Sequence, residues 1–213
     1  VKDEHALYTP TFILGFTYNF IIALHFTNNA LYPIYVQSEG GGIALVGLFM
    51  GVYSAAAVAG RAISGLEIDR FGAGSVLVTG CLCLSLPAFC FAGMLGAGLG
   101  PAAWALRSVQ GFGYGAHFSA TFTLAVKISP AGRRNEAIAM YGVSGLAGAM
   151  VGPIIGEMVV NGLGLQVFFI AMGFIGITAA LIVSRIRVGR PDAKAPSPRA
   201  VLSAMRAPGL RFA

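Results

Sequence analysis

Six stretches of the chain, residues 11–36, 41–63, 74–99, 101–126, 136–160 and 164–184, are almost free of charge. The segments between them are short and polar. Each stretch holds roughly 20 residues or more, the length at which an α-helix rising about 1.5 Å per residue crosses about 30 Å of hydrocarbon. The pattern predicts an all-α membrane protein with six transmembrane helices.

Charge is distributed on that pattern asymmetrically. With the spans joined in order, Lys2, Arg61, Arg70, Lys127, Arg133, Arg134 and the basic run from Arg185 to Arg211 fall on one face. The opposite connections, near 37–42, 96–100 and 161–164, contain no Lys or Arg. The positive-inside bias places both ends of the segment in the cytoplasm, in a plasma membrane such as a bacterial inner membrane. Arg107 stands outside the scheme, within the fourth span.

Composition narrows the choice further. The chain is 56% hydrophobic and 10% charged, with mean hydropathy +0.78, whereas a soluble domain carries about 25% charged residues. The net charge of +6 is spread over the loops without a contiguous basic stripe, which speaks for topology and lipid headgroups and against nucleic acid. Cys81, Cys83 and Cys90 lie in the third span, remote from any His cluster, so packing is expected and neither a metal nor another cofactor is implied. Residues 1–10 start without Met and lack a cleavable signal, as in a fragment with a cytoplasmic N-terminus. Residues 11–184 form the membrane domain. Residues 185–213, basic and Pro-rich, read as a cytoplasmic linker in which 200–205 begins a short helix.

Three local patterns carry more specific information. Gly65, Leu66, Glu67, Ile68, Asp69, Arg70, Phe71 and Gly72 join spans 2 and 3, and resemble the loop 2–3 signature of the major facilitator superfamily, G-x-L-x-D-R-x-G-R-K. Gly65, Asp69, Arg70 and Gly72 match. Glu67 takes the place of Leu, and Ala73 and Gly74 replace the basic pair. In the fourth span Arg107, Gln110, Gly111 and Gly113 are similar to R-x-x-Q-G-x-G of the same family. In the fifth, Gly148, Gly152, Pro153 and Gly156 resemble the G-x-x-x-G-P-x-x-G-G pattern of its antiporter branches, with Glu157 in place of the final Gly.

The residues make their own demands beside that resemblance. An Arg within a bilayer costs at least about 2.5 kcal/mol, so Arg107 must face a cavity or a partner, unless its long side chain reaches the outer interface. Spans 1 and 5 run outward and span 4 runs inward, which puts His25, Arg107 and Glu157 in one outer half. Glu157 is therefore expected either to be a protonatable partner of Arg107, with His25 as a second titrating group, or to sit idle at the wet interface. Asn19, Asn28, Asn29, Tyr114 and His117 are candidates to line a solute path or to bond between helices. Gly142, Val143, Ser144 and Gly145 match the G-x-S-G of intramembrane serine proteases, but all three His precede Ser144, and no enzyme is expected.

The resemblance implies the N-terminal six-helix half of a secondary transporter, built as two three-helix inverted repeats. Its implied partners are a small-molecule substrate, protons, the lipid bilayer and a second six-helix half. It further implies alternating access, with Asp69 and Arg70 gating and with proton-coupled efflux by Arg107 and Glu157. The alternative is a six-helix half that dimerises or binds a partner without transporting.

Overall fold

The structure, a computed structural model, describes residues 6–186. His5, the tail after Ile186 and the helix expected at 200–205 lie outside the described residues. Helix α1 (Pro10–Thr27) begins where sequence chemistry favours a start: the Thr9 hydroxyl accepts from the Phe12 N–H at 3.2 Å and Pro10 fills the first turn. The first apolar stretch is not one continuous α-helix. Thr27 and Asn28 turn their side chains back onto the carbonyls of Ala23 and Leu24, both at 2.7 Å. A 3-10 turn follows at Asn28–Leu31, before α2 (Tyr32–Ser38) starts with Pro33 in its first turn.

Helix α3 (Ile43–Phe71) and α4 (Ala73–Gly93) are joined by Gly72 alone, at φ +84°. A side chain there would be strained, which accounts for Gly at that place in the loop signature. Helix α5 spans Pro101–Lys127 and α6 spans Arg134–Ser184. At 51 residues α6 would be about 77 Å long if straight, far more than a bilayer's thickness. It breaks at Gly164 (φ +85°, ψ +171°), so the fifth and sixth apolar stretches are joined by a single residue rather than a loop.

All described residues are helix, turn or coil, with no strand among them. Four helical segments are long and apolar enough to cross a membrane: Pro10–Ser38, Ile43–Phe71, Ala73–Gly93 and Ala131–Ser184. Helix α5 is equally long, but Arg107, Gln110 and His117 make it more polar.

Small residues set the pairing of the helices. Gly148, Gly152 and Gly156 of α6 lie on α1 and the turn after it, opposite Ala23, Leu24 and Asn28. Gly173 and Gly176, beyond the Gly164 break, meet Phe89 and Ser85 of α4. Helix α5 approaches α3 through Gly111 and Gly115, and α4 through Gly113. Helices in lipid gain little from apolar burial, so these backbone approaches supply the dispersion contact that holds the bundle.

One end of the bundle is tied by a carboxylate. Glu39 accepts the backbone N–H of Gly96 at 2.7 Å and of Gly98 at 2.6 Å, in a loop where both glycines have positive φ. Hydrogen bonds to a charged acceptor contribute about 1.5–3 kcal/mol each, and partial exposure reduces that. Glu39→Ala is expected to lower stability by about 1–3 kcal/mol, read as an earlier thermal transition in detergent. Glu39→Gln, which retains one acceptor, should fall between.

Candidate functional site

Among the described residues Arg107 is the largest fully buried side chain, at 1% exposure. Its position as the seventh residue of α5, at the end of the second turn, points it between α1, α2 and α3, not out to the interface. The side chain of Asn29 accepts from Nη2, Gln110 accepts from Nη1 at 3.1 Å, and the Met50 sulfur lies 3.3 Å from Nη2. The guanidinium carbon stands 4.0 Å from the ring centre of Tyr32, 4.3 Å from Tyr53 and 5.3 Å from Phe49. Gln110 is held in turn, donating to the Tyr32 hydroxyl at 2.7 Å and to the Leu84 carbonyl at 3.3 Å.

No carboxylate belongs to this set. Three π faces, each contributing about 0.5–2 kcal/mol, and two hydrogen bonds from a charged donor at about 1.5–3 kcal/mol each offset the cost of the buried cation. The pairing expected between Arg107 and Glu157 is not formed. Glu157 is exposed on α6, because the glycines on its helix turn the opposite face onto α1 and leave Val143, Leu146, Met150, Ile154 and Glu157 pointing away from the bundle. The snorkelling alternative for Arg107 is not adopted either.

His25 does meet Arg107. Both line a cavity of about 10 Å³, with Asn29, Tyr32, Tyr53 and Gln110, room for about one water. His25 is buried, and neither ring nitrogen has a hydrogen-bond partner; Arg107 Nε is also without one. A buried donor or acceptor left unpaired costs about 1–3 kcal/mol, a cost that a water or another polar group in this cavity would relieve. His117 stands one layer away, sharing a 3.1 Å hydrogen bond between Nδ1 and the Tyr18 hydroxyl.

Other candidates have structural employment. Asn19 donates to the Tyr141 carbonyl at 2.7 Å, Ser144 donates to the Phe16 carbonyl at 2.7 Å, and Tyr114 stacks on Tyr53. Ser144 is thus a tie between α6 and α1. In the loop signature, Asp69 and Arg70 are exposed and make no ion pair with each other; Arg70 lies over the Phe71 ring at 5.1 Å. Gly65 faces open space. Cys81 is buried, whereas Cys90 is exposed on α4, contrary to the expectation that all three thiols pack inside.

The sequence singles out Arg107, places Gln110 beside it on the same helix face and marks Asn29 as a candidate, but does not join them into a cage. Tyr32, Phe49 and Tyr53 come from other helices and carry no local signal.

Comparison with known proteins follows the same line. The sequence model of the Major Facilitator Superfamily matches residues 11–211. Among solved structures, the fold is similar to the inward-open conformation of the xylose transporter XylE from E. coli, with TM-score 0.65 and 15% identity over 92% of this chain. That match spans 49% of the XylE chain. No curated protein matches in sequence.

Proposed function

The chain belongs to the Major Facilitator Superfamily, a family of multi-pass membrane transporters, and on that premise we propose that it carries a small solute by proton-coupled efflux. The observation that supports this reading most is the caged cation. A buried Arg107 without a carboxylate, beside a His25 with both nitrogens unpaired, is sensitive to one added charge. A proton on His25 would set a second cation against the guanidinium. In the present packing that repulsion is unrelieved, and a state that admits water or an anionic group relieves it.

The remaining parts fit an alternating-access machine. Residues 11–184 act as a six-helix half made of two three-helix inverted repeats, with both ends cytoplasmic, in a plasma membrane of the bacterial inner-membrane kind. A second half packs on faces that are free here: Gly47, Gly51 and Gly65 of α3 meet nothing, and the apolar α6 face bearing Glu157 is exposed. Glu157 is the protonatable carboxylate presented to that half. The glycine–proline run at Gly148, Gly152, Pro153 and Gly156 keeps α6 sliding on α1 as the halves rock. Asp69 and Arg70, unpaired with each other, gate by engaging the second half in one state.

The test is flux of candidate solutes in vesicles with an imposed pH gradient. Proton-coupled efflux predicts that flux follows the gradient and that Glu157→Gln lowers it without changing the thermal transition. Flux that ignores the gradient, or is untouched by Glu157→Gln, contradicts the coupling.

A further inference from the structure

Helix α5 packs tightly on both α3 and α4, but α3 and α4 diverge from each other beside their Gly72 turn. The wedge between them is a cleft of about 350 Å³, within the range of roughly 300–1,000 Å³ that small-molecule pockets occupy. It is separate from the Arg107 cavity. Phe71, Phe112 and Cys83 line its apolar part, Thr79 adds a hydroxyl, and Glu67 contributes a carboxylate. Its floor is kept low by Gly113, against which the Cys83 side chain is already close, and by Gly80 against the His117 Cβ. A larger side chain at either glycine would fill the wedge or part the helices.

Glu67 is what makes this more than a gap between helices. It is half-buried and has no ion pair among the described residues. The nearby guanidinium of Arg70 is laid over Phe71, while Arg61 is directed onto the Phe118 ring at 4.6 Å. Cys83 lines the same cleft as Glu67. An unpaired carboxylate on an apolar wall attracts a cation that brings its own apolar surface, because such a ligand loses little hydration on entering.

We propose that the α3–α4–α5 cleft binds lipophilic cations, with the apolar body in the wedge and the positive charge against Glu67. Charge complementarity selects this occupant over a neutral hydrophobe or an acyl chain, which would leave Glu67 unpaired. The site is distinct from the coupling site, and its occupancy is readable without any flux.

Cys83 supplies the reporter. In membranes carrying the chain with Cys90→Ser, the alkylation rate of Cys83 by N-ethylmaleimide is followed while tetraphenylphosphonium is added. Cys81, fully buried, serves as an internal reference. At ten times its dissociation constant the cation should slow Cys83 alkylation about tenfold, by mass action. Glu67→Gln should abolish that protection, taken relative to the variant's own unprotected rate, while leaving the thermal transition unchanged, and Glu67→Asp should retain part of it. Absence of protection in the parent chain overturns the proposal. So does protection that survives Glu67→Gln, or that neutral triphenylphosphine oxide gives equally, since the cleft would then be apolar space filled by any hydrophobe or lipid chain.

Discussion

Arg107→Met is expected to abolish gradient-driven transport while leaving the helices folded. The two effects separate because the guanidinium stabilises little. Its burial costs about 2.5–3.5 kcal/mol in a bilayer, and the rings of Tyr32, Tyr53 and Phe49 with the acceptors on Asn29 and Gln110 offset that. Methionine removes the cost and the gain together and fits the same apolar space; replacing a buried charge by a hydrophobe is often neutral or stabilising. Asn29 and Gln110 each lose a donor, so net stability should move by no more than about 2 kcal/mol in either direction. Transport has no such compensation. With no fixed cation, protonation of His25 meets no repulsion, and each 1.4 kcal/mol of lost difference between states lowers the response about tenfold. Arg107→Lys sharpens the test: it keeps the charge but not the fork that reaches Asn29 and Gln110 at once, so gradient dependence should persist at a reduced rate. Thermal unfolding beside vesicle flux measures both halves of the prediction.

The second large effect is structural. Gly115→Val is expected to destabilise the folded bundle strongly. A Cβ at Gly115 would overlap the Ala57 carbonyl and stand 2.9 Å from the Arg61 nitrogen. Both neighbours are backbone of α3, so no rotamer change relieves the clash and the helices must separate. Overpacking costs about 1–3 kcal/mol in ordinary cores, and Val extends beyond the Cβ, so a loss of about 3 kcal/mol or more is expected. For a chain of this length that is a fall of roughly 6–12 °C in the thermal midpoint. Gly47→Ala is the control, because nothing lies within 4 Å of a Cβ there. Its helix should hold or gain up to about 1 kcal/mol. Any loss of flux in Gly47→Ala would then report on contact with a second half rather than on folding.

The fold was legible where it depends on length and composition. Apolar runs located the helices, Gly72 marked the turn after α3, and Arg107 announced itself as a charge inside a span. The errors have physical origins. The first stretch breaks at Asn28–Leu31 because Thr27 and Asn28 bond back to the helix and Pro33 follows, an interruption that hydropathy does not register. The loop expected at 161–164 reduces to Gly164, where one positive φ suffices to turn the chain. Glu157 was expected beside Arg107 from depth alone. Depth fixes height in the bilayer but not rotation about the axis, and rotation of α6 is decided by which glycines its neighbour needs. Five residues of the cage, Asn29, Tyr32, Phe49, Met50 and Tyr53, come from outside α5, so only the packed bundle assembles them.

Alternating access itself is tested most directly at Phe26, which lines the Arg107 cavity with His25. With the three native cysteines replaced, Phe26→Cys would be exposed to a membrane-impermeant maleimide from each side of sealed vesicles while the pH gradient is imposed in either polarity. Alternating access coupled to protons predicts labelling from one side under one polarity and from the other side when the gradient is reversed, with Arg107→Met removing the dependence on polarity. Labelling confined to one side under both gradients would contradict it.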